Sequence, residues 1–175
     1  EMTPEVGTII DSRYALKRVV KKGPLGHVFE GWDSRLEQPV LVTFLPAQYF
    51  EGSRAQPNML RLERSRAYVH PNIARLLEVV PGQEGPIAIS QFVRGASLYE
   101  WRSGGKGSTL GQIVDTLRQI VAACRWIHQI GPVGNLSPHA ILVSAARIVV
   151  TEPYFFIGQE VDADVAWTSP EQRAN

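Results

Sequence analysis

One run of residues has the composition of a phosphate-binding loop. Lys106 lies among glycines in the segment GGKGST, residues 104–109. Glycines let backbone N–H groups approach a phosphate closely, and a neighbouring lysine supplies positive charge. The spacing that such a loop requires, G-x-x-x-x-G-K-[ST], is absent here. A solvated linker is therefore the better interpretation of this segment.

Histidine and cysteine show no pattern typical of a metal site. The histidines have neither H-x-x-x-H nor H-x-H spacing, which zinc sites commonly use; they are His27, His70, His128 and His139. The single cysteine, Cys124, falls on the apolar face of a predicted helix, where we expect it to pack in the core. The sequence therefore predicts no metal site.

The composition excludes several classes of protein. The 175 residues suffice for one ordinary domain or two small lobes, and 44% hydrophobic residues allow a buried core. Lys plus Arg total 18 and Asp plus Glu total 17, so the basic excess of a nucleic-acid binder is missing. No apolar run reaches the roughly 20 residues of a membrane-spanning helix, and no secretory signal is recognisable. With a single cysteine, which suits a reducing compartment, we expect a cytoplasmic location, either as a free protein or as the cytoplasmic part of a membrane-anchored one.

The first half of the chain is predicted to form strands and one helix. β-branched and aromatic residues between turn signals predict five strands, near residues 14–20, 27–32, 40–45, 74–80 and 87–93. Leucines and basic residues at helical spacing predict one exposed amphipathic helix over residues 57–68. These elements form a predicted lobe of residues 1–93.

The second half is predicted to be mainly helical. We expect a short helix near residues 97–101, a long helix over residues 110–130, and short strands at residues 140–143 and 148–151. The long helix has apolar residues at i, i+3, i+4, i+7 spacing, namely Leu110, Ile113, Val114, Leu117, Ile120, Val121, Cys124 and Ile127. Residues 94–175 thus form a second predicted lobe, joined to the first near residues 93–95.

The order of these elements, together with six short motifs, resembles a protein kinase domain, most closely the bacterial relatives of eukaryotic Ser/Thr kinases. The motifs are Gly23-Pro-Leu-Gly26 at the glycine-rich loop, VLVT at residues 40–43 for the V-A-I-K strand, His70-Pro-Asn-Ile73, a hinge segment at residues 90–98, LSPHAILV at residues 136–143, and SPE at residues 169–171. The resemblance implies an α+β, two-lobe protein kinase-like fold with a five-stranded antiparallel N-lobe. It also implies a truncated helical C-lobe, since the stretch between residues 152 and 169 is short and the large lower-lobe helices are not found before Asn175.

The same resemblance indicates a loss of catalytic groups. A kinase transfers phosphate mainly by positioning and electrostatics, and five positions lack the expected residue: Thr43 replaces the strand lysine, Asn135 the catalytic aspartate, Ser137 the catalytic-loop lysine, Ala140 the metal-binding asparagine and Glu152 the D-F-G aspartate. The position of the helix glutamate falls on Arg61, while Glu63 lies about 200° round that helix. Loss of a general base alone typically costs about 10²–10⁴-fold in rate. The sequence therefore predicts a pseudokinase without catalytic residues.

The nucleotide pocket implied by the resemblance is also degenerate. Leu41 replaces a small alanine that lies against the adenine ring, Lys21 replaces the first glycine, and Pro24 removes an amide donor. We expect no cofactor, and absent or weak ATP and magnesium binding, at the vestigial pocket positions Gly23, Gly26, Val28, Leu41, Gln91 and Val93.

Three functional hypotheses remain at this stage. The leading one is a catalytically inactive protein-binding or scaffolding module in a bacterial signalling or envelope-associated protein, which binds a protein partner or a second copy through Phe155, Phe156 and Trp167. These aromatic residues could instead cover the core of the truncated lobe. The second hypothesis is a residual nucleotide-binding or weakly active Ser/Thr kinase that uses Glu152 as a metal ligand. The third is a purely architectural domain.

Overall fold

The chain folds into two compact units. The computed structural model describes residues 4–23, 26–104, 108–129, 136–144 and 147–151. Unit 1 comprises Glu1–Arg66 and Leu76–Phe92, and unit 2 comprises Ala67–Arg75 and Val93–Asn175.

Unit 1 is built on an antiparallel sheet. Its six strands are β1 (Ile9–Ile10), β2 (Tyr14–Gly23), β3 (Gly26–Asp33), β4 (Gln38–Phe44), β5 (Leu76–Val80) and β6 (Ile87–Gln91). They lie in the order β1-β2-β3-β4-β6-β5, and every neighbouring pair is antiparallel. The five strands predicted from the sequence are confirmed. β1 is an addition, because two residues are too few to show a strand pattern.

The core of unit 1 lies against one face of this sheet. Side chains alternate between the faces of a strand, so every second residue points to the same side. On β4, Val40 and Val42 are fully buried in the core cluster. The remaining buried members of that cluster are Tyr14, Leu16, Phe29, Val80, Ile87 and Ile89.

One helix, α1 (Ala55–Ser65), belongs to unit 1, and it begins and ends earlier than predicted. Pro57 lies in its first turn, where the backbone N–H groups have no intrahelical acceptor and proline is tolerated. Leu62 and Ser65 are buried, and the Ser65 hydroxyl donates a hydrogen bond to the Arg61 carbonyl at 2.8 Å. Two short 3-10 helices, Ala47–Phe50 and Gly52–Arg54, precede α1.

Unit 2 combines helices with a small sheet. Its helices are α2 (Leu98–Ser103) and α3 (Leu110–Ile127), and its strands are β7 (Ala96–Ser97), β8 (Ile141–Val143) and β9 (Ile148–Val150). The strands form an antiparallel sheet in the order β7-β8-β9. The two helices and the strands β8 and β9 were predicted, whereas the two-residue β7 was not. Among the described residues, no helix has the length and apolar character to cross a membrane.

The long helix α3 does not bury the face that its sequence pattern emphasises. Ala123 and Ile127 are buried in the core of unit 2, and Cys124 is half-buried against it, in agreement with its predicted packing role. Five of the eight apolar positions are exposed, namely Leu110, Ile113, Val114, Leu117 and Val121. The apolar pattern covers more of the helix circumference than the core of unit 2 contacts.

Candidate functional site

The glycine-rich segment lies between β2 and β3. Gly23 and Gly26 face each other across the hairpin, and Pro24 and Leu25 between them lie outside the described residues. Gly26 has φ 112°, and a Cβ atom there would lie 2.1 Å from the Phe44 carbonyl oxygen. Only glycine fits this position. The backbone conformation and the nearby Phe44 carbonyl thus explain the glycine at position 26 without a role in phosphate binding.

The strand-lysine position, Thr43, lies in a row of residues across the sheet of unit 1. Thr43 pairs with Val28 of β3 on one side and with Ala88 of β6 on the other. Paired residues in an antiparallel sheet share a face. All three side chains are buried, and Thr43 is fully buried. The three side chains of this row are therefore small and uncharged, and Thr43 at its centre is inaccessible to solvent.

Among the residues that the structure describes, the Thr43 Oγ1 atom has no hydrogen-bond partner. A buried hydroxyl without a partner costs about 1–3 kcal/mol. The side chain at this predicted lysine position thus carries no charge and, within the described residues, forms no polar contact.

Leu41 lies on the same face, two residues before Thr43. It pairs with Glu30 on β3 and Ser90 on β6 and is half-buried. The structure thus brings the predicted pocket residues Val28 and Leu41 together with Thr43 on one face. Gln91 ends β6, is exposed and pairs with Val40, which faces the core on the opposite side. Val93 belongs to unit 2 and is half-buried.

One lysine joins the row at its outer end. Lys21 of β2 pairs with Val28, so it shares the face that carries Thr43, and it is exposed. A bulge between Val19 and Lys21 sets this register. Residue spacing alone does not reveal the alignment, because a bulge shifts which residues lie opposite each other.

Helix α1 supplies no carboxylate at the expected position. Arg61 is half-buried, whereas Glu63 is exposed and forms an ion pair with Arg66 at 3.7 Å. Glu63 is the only acidic residue of α1. The difference in exposure agrees with the predicted placement of Arg61 and Glu63 on different sides of the helix.

In unit 2, the catalytic-loop positions form a buried turn before β8. Ser137 and Ala140 are both buried, and the Ala140 N–H donates to the Ser137 carbonyl at 3.0 Å. The Ala140 carbonyl accepts hydrogen bonds from the Thr151 N–H at 2.8 Å and the Thr151 hydroxyl at 2.9 Å. These hydrogen bonds connect the turn to Thr151, the residue before Glu152. Ala140 has only a methyl side chain at the position where the kinase resemblance implies a metal-binding asparagine.

Several predicted site residues lie outside the described part of the chain: Asn135, Glu152, Phe155, Phe156 and Trp167. Lys106, the centre of the glycine-rich linker, does so as well. Among the described residues, no group of three or more His, Cys, Asp or Glu side chains could hold a metal ion.

A polar network in unit 2 was not predicted from the sequence. The buried amide of Asn72 donates to the Ile148 carbonyl at 2.7 Å and to Gln119 Oε1 at 2.8 Å. Gln119 Oε1 also accepts the Ile148 N–H at 2.8 Å. His70 Nδ1 accepts the Asn72 N–H at 3.1 Å, which confirms its interpretation as a turn histidine. The His-Pro-Asn motif therefore connects β9 to α3.

The segment that leads into α2 is fixed by a capping box. The Ser97 hydroxyl accepts the Glu100 N–H at 3.1 Å, and the Ser97 N–H donates to Glu100 Oε2 at 2.9 Å. The hydrogen bonds from Ser97 lower the pKa of Glu100. Next to this cap, the rings of Tyr99 and His139 lie 4.5 Å apart and tilted by 34°. The contact joins α2 to the turn that holds Ser137 and Ala140.

Comparisons with known proteins agree with the kinase resemblance. The chain matches no protein-family model. Serine/threonine-protein kinase PknA of Mycobacterium tuberculosis is 28% identical over 174 residues, covering 93% of this chain and 39% of that protein. CBL-interacting protein kinase 20 of Oryza sativa subsp. japonica is 30% identical over 151 residues, covering 80% of this chain and 31% of that protein. The chain thus spans less than half the length of these relatives.

Solved structures share the fold at low sequence identity. The PknI kinase domain of Mycobacterium tuberculosis has a TM-score of 0.75 at 13% identity, covering 87% of this chain and 62% of that one. A double mutant of the same domain has a TM-score of 0.81 at 14% identity, covering 98% and 70%. The α+β architecture with its antiparallel sheet is that of a kinase domain. The chain is a protein kinase-like domain, similar in sequence to bacterial Ser/Thr kinases.

Proposed function

We propose that this kinase-like domain does not transfer phosphate and instead acts as a protein-binding or scaffolding module. The observation that carries the proposal is Thr43, an uncharged and fully buried side chain in the row Val28–Thr43–Ala88. Phosphoryl transfer depends on fixed positive charge and metal ions around the phosphates. The kinase resemblance implies a lysine on β4 as one source of this positive charge, and Thr43 carries no charge.

Other positions support the same proposal. The helix that should orient a lysine offers Arg61 and an outward Glu63. Ser137 and Ala140 replace a lysine and a metal-binding amide, and Asn135 and Glu152 replace two aspartates in the sequence. An amide has no basicity near neutral pH, so Asn135 cannot accept the substrate proton.

Phosphotransfer itself is the direct test of the proposal. The 175-residue chain is incubated with radiolabelled ATP, magnesium or manganese, and a generic protein substrate, with the PknA kinase domain as positive control. We expect no label above background on either the chain or the substrate. Incorporation that disappears in Glu152→Gln or Asn135→Ala would overturn the proposal.

Nucleotide binding is tested by thermal unfolding. A ligand stabilises a protein by RT ln(1 + [L]/Kd), so a ligand at its own Kd adds only about 0.4 kcal/mol. We expect ATP at millimolar concentration, with or without magnesium, to change the melting temperature little. A magnesium-dependent rise of several degrees would support the second candidate function.

The second candidate is a residual nucleotide-binding domain or weak Ser/Thr kinase. Two observations favour it: 28% identity to a serine/threonine-protein kinase over most of the chain, and Lys21 on the same face as Thr43. If Lys21 supplies the missing cation, Lys21→Ala should abolish any magnesium-dependent stabilisation. Lys17→Ala is the matched control, because Lys17 lies on the same strand and falls within a register irregularity of β2.

The proposed partner-binding residues are Phe155, Phe156 and Trp167, and the partner is another protein or a second copy. Aromatic side chains are enriched at the centres of interfaces. Single alanine variants should weaken association while circular dichroism stays native. A chain that binds no protein and no nucleotide would fit the architectural alternative. The proposed setting is the cytoplasm, since the single Cys124 suits a reducing compartment.

A further inference from the structure

The second half of β2 forms an open edge of the sheet in unit 1. β1 pairs with the start of β2, and the last hydrogen bonds on this side join the Gly7 N–H to the Leu16 carbonyl at 2.8 Å and the Leu16 N–H to the Thr8 carbonyl at 2.9 Å. Within the described part of the chain, no backbone group bonds to residues 17–23 from this side. The opposite edge strand, β5, contacts helix α1. The main chain of β2 beyond Leu16 can therefore accept another strand.

The chain that precedes β1 turns away from this edge. Gly7 has φ 95°, a backbone conformation that glycine adopts readily. The Thr8 N–H donates to the Glu5 carbonyl at 3.1 Å, which closes a turn over residues 5–8. Pairing along β2 thus stops at Leu16 because of this turn, and the described residues before β1 leave the rest of the edge uncovered.

The open edge is strongly basic. Residues 17–22 have the sequence KRVVKK, so two valines lie between two pairs of cations, and all four basic side chains are exposed. Arg18 forms an ion pair with Glu30 at 2.8 Å. The three lysines form no ion pair in the part of the chain that the structure describes. Three cations at this edge thus have no counter-charge among the described residues.

These charges distinguish between occupants of the edge. Lysine on an edge strand opposes unselective pairing with other chains. A second copy that added its own KRVVKK segment, in parallel or antiparallel direction, would bring cations beside cations, and like charges opposite each other in a sheet are destabilising. An extended segment with acidic residues on both sides of two apolar residues would place opposite charges there instead.

We propose that the open edge of β2, residues 17–22, binds an extended acidic segment of a partner protein by strand addition. Main-chain hydrogen bonds supply the affinity in this mode of binding, and side chains select the partner. The complementary segment has the pattern acid–acid–apolar–apolar–acid–acid. The inference concerns unit 1 alone and depends neither on phosphotransfer nor on the aromatic residues Phe155, Phe156 and Trp167.

Two peptides test the selection by charge. One has the sequence TEEVVEET and the other TKKVVKKT, each with blocked ends and a fluorescent label. Their binding to the 175-residue chain is followed by fluorescence anisotropy at low salt. We expect the Glu peptide to bind at least about ten-fold more tightly, a difference of about 1.4 kcal/mol. High salt should reduce this preference, because it screens exposed charges.

A methylated form of the Glu peptide tests strand addition itself. N-methylation of its six central residues keeps every side chain and every charge but removes the backbone N–H donors. We expect this form to bind at least about ten-fold more weakly, because strand addition requires main-chain hydrogen bonds. A patch that attracts the peptide by charge alone would bind both forms equally.

Charge reversal in the chain tests the location of the site. In the double variant Lys17→Glu and Lys22→Glu, the preference should invert toward the Lys peptide. Arg54→Glu combined with Arg64→Glu is the matched control, because it makes the same change of charge at two exposed positions of unit 1 outside the sheet, and it should retain the preference for the Glu peptide. Circular dichroism verifies folding. If the reversal variant is unstable, Lys17→Gln with Lys22→Gln should still reduce the preference.

Several results would overturn the proposal. Equal affinity for the two charged peptides, no binding of the Glu peptide, or undiminished binding of its methylated form would each exclude selective strand addition. Binding to phosphatidylserine vesicles without peptide binding would assign the basic edge to a lipid surface. A dimer in light scattering that Val20→Pro converts to a monomer would assign it to a second copy. The phosphotransfer assay is read out independently of peptide binding, so the two proposals fail separately.

Discussion

At the scale of single residues, Thr43 is fully buried, and its hydroxyl has no hydrogen-bond partner in the described part of the chain. Thr43→Val keeps the shape of the side chain and removes the polar atom. We expect the free energy of unfolding to rise by about 1 kcal/mol, because a buried polar group without a partner is costly. Urea unfolding monitored by circular dichroism measures the change.

Thr151 provides the matched control for this substitution. It is also buried, but its hydroxyl donates to the Ala140 carbonyl at 2.9 Å. Thr151→Val should therefore lower the free energy of unfolding by about 1 kcal/mol. If both variants shifted stability in the same direction, the hydrogen-bond argument for Thr43 would be wrong.

Asn72 is the residue through which the His-Pro-Asn motif stabilises unit 2. Asn72→Ala removes two donated hydrogen bonds and leaves the Ile148 carbonyl without this donor. We expect a loss of about 1–3 kcal/mol in the free energy of unfolding. Gln129→Ala, at an exposed position just after α3, should change stability by less than about 0.5 kcal/mol. Equal effects of the two variants in urea unfolding would contradict this role.

At the scale of elements, the start of α3 depends on a capping box. The Thr109 hydroxyl accepts the Gln112 N–H at 3.2 Å, and the Thr109 N–H donates to Gln112 Oε1 at 2.9 Å. Thr109→Ala should lower the melting temperature, and the free energy of unfolding by about 1 kcal/mol, because it leaves a helix N–H without its acceptor. Thr109→Ser retains the hydroxyl and should stay near the parent value. A Ser variant as unstable as the Ala variant would exclude the cap as the cause.

At the scale of the whole molecule, acid stability depends on a buried carboxylate in unit 1. The Arg13 guanidinium binds both oxygens of Asp33 at 2.8 Å, and the Arg35 and Leu36 N–H groups donate to Asp33 Oδ1 at 2.9 and 3.2 Å. These hydrogen bonds, with Arg13 foremost, lower the pKa of Asp33. Arg13 also binds Glu78 at 3.0 Å, which extends the network to β5.

This lowered pKa predicts a loss of stability in acid. Because the folded pKa of Asp33 is below the unfolded value of about 4, the unfolded chain binds more protons at low pH. The stabilisation is complete above pH 4 or so and is lost as the pH falls through the depressed pKa. Asp33→Asn should lower the free energy of unfolding at pH 7 and flatten its decline below about pH 4.

Urea unfolding at a series of pH values tests this expectation. Asp115→Asn is the control, since Asp115 is exposed and accepts one hydrogen bond from Gln119. Its pH profile should follow that of the parent chain. An Asp33→Asn profile that declined as steeply in acid as the parent would show that other groups cause the acid loss.

The sequence by itself determined most of the elements, because their signals are local. β-branched and aromatic residues between turn signals place β2, β3, β4, β5 and β6 within a few residues of their observed bounds, and helical spacing places α3. The alternation along β4 also places Leu41 and Thr43 on one face. The kinase-like fold follows from motifs that lie in order along the chain.

Only the tertiary structure decided which polar groups form hydrogen bonds and which faces of the helices and strands are buried. The alignment of Lys21 with Val28 depends on a bulge, and the bonds of Asn72 join it to residues 47 and 76 positions away. The apolar pattern of α3 shows a broad stripe but not which part the core of unit 2 contacts. Periodicity fixes the direction of a side chain relative to its own helix or strand, whereas burial and hydrogen bonding depend on residues that folding brings near.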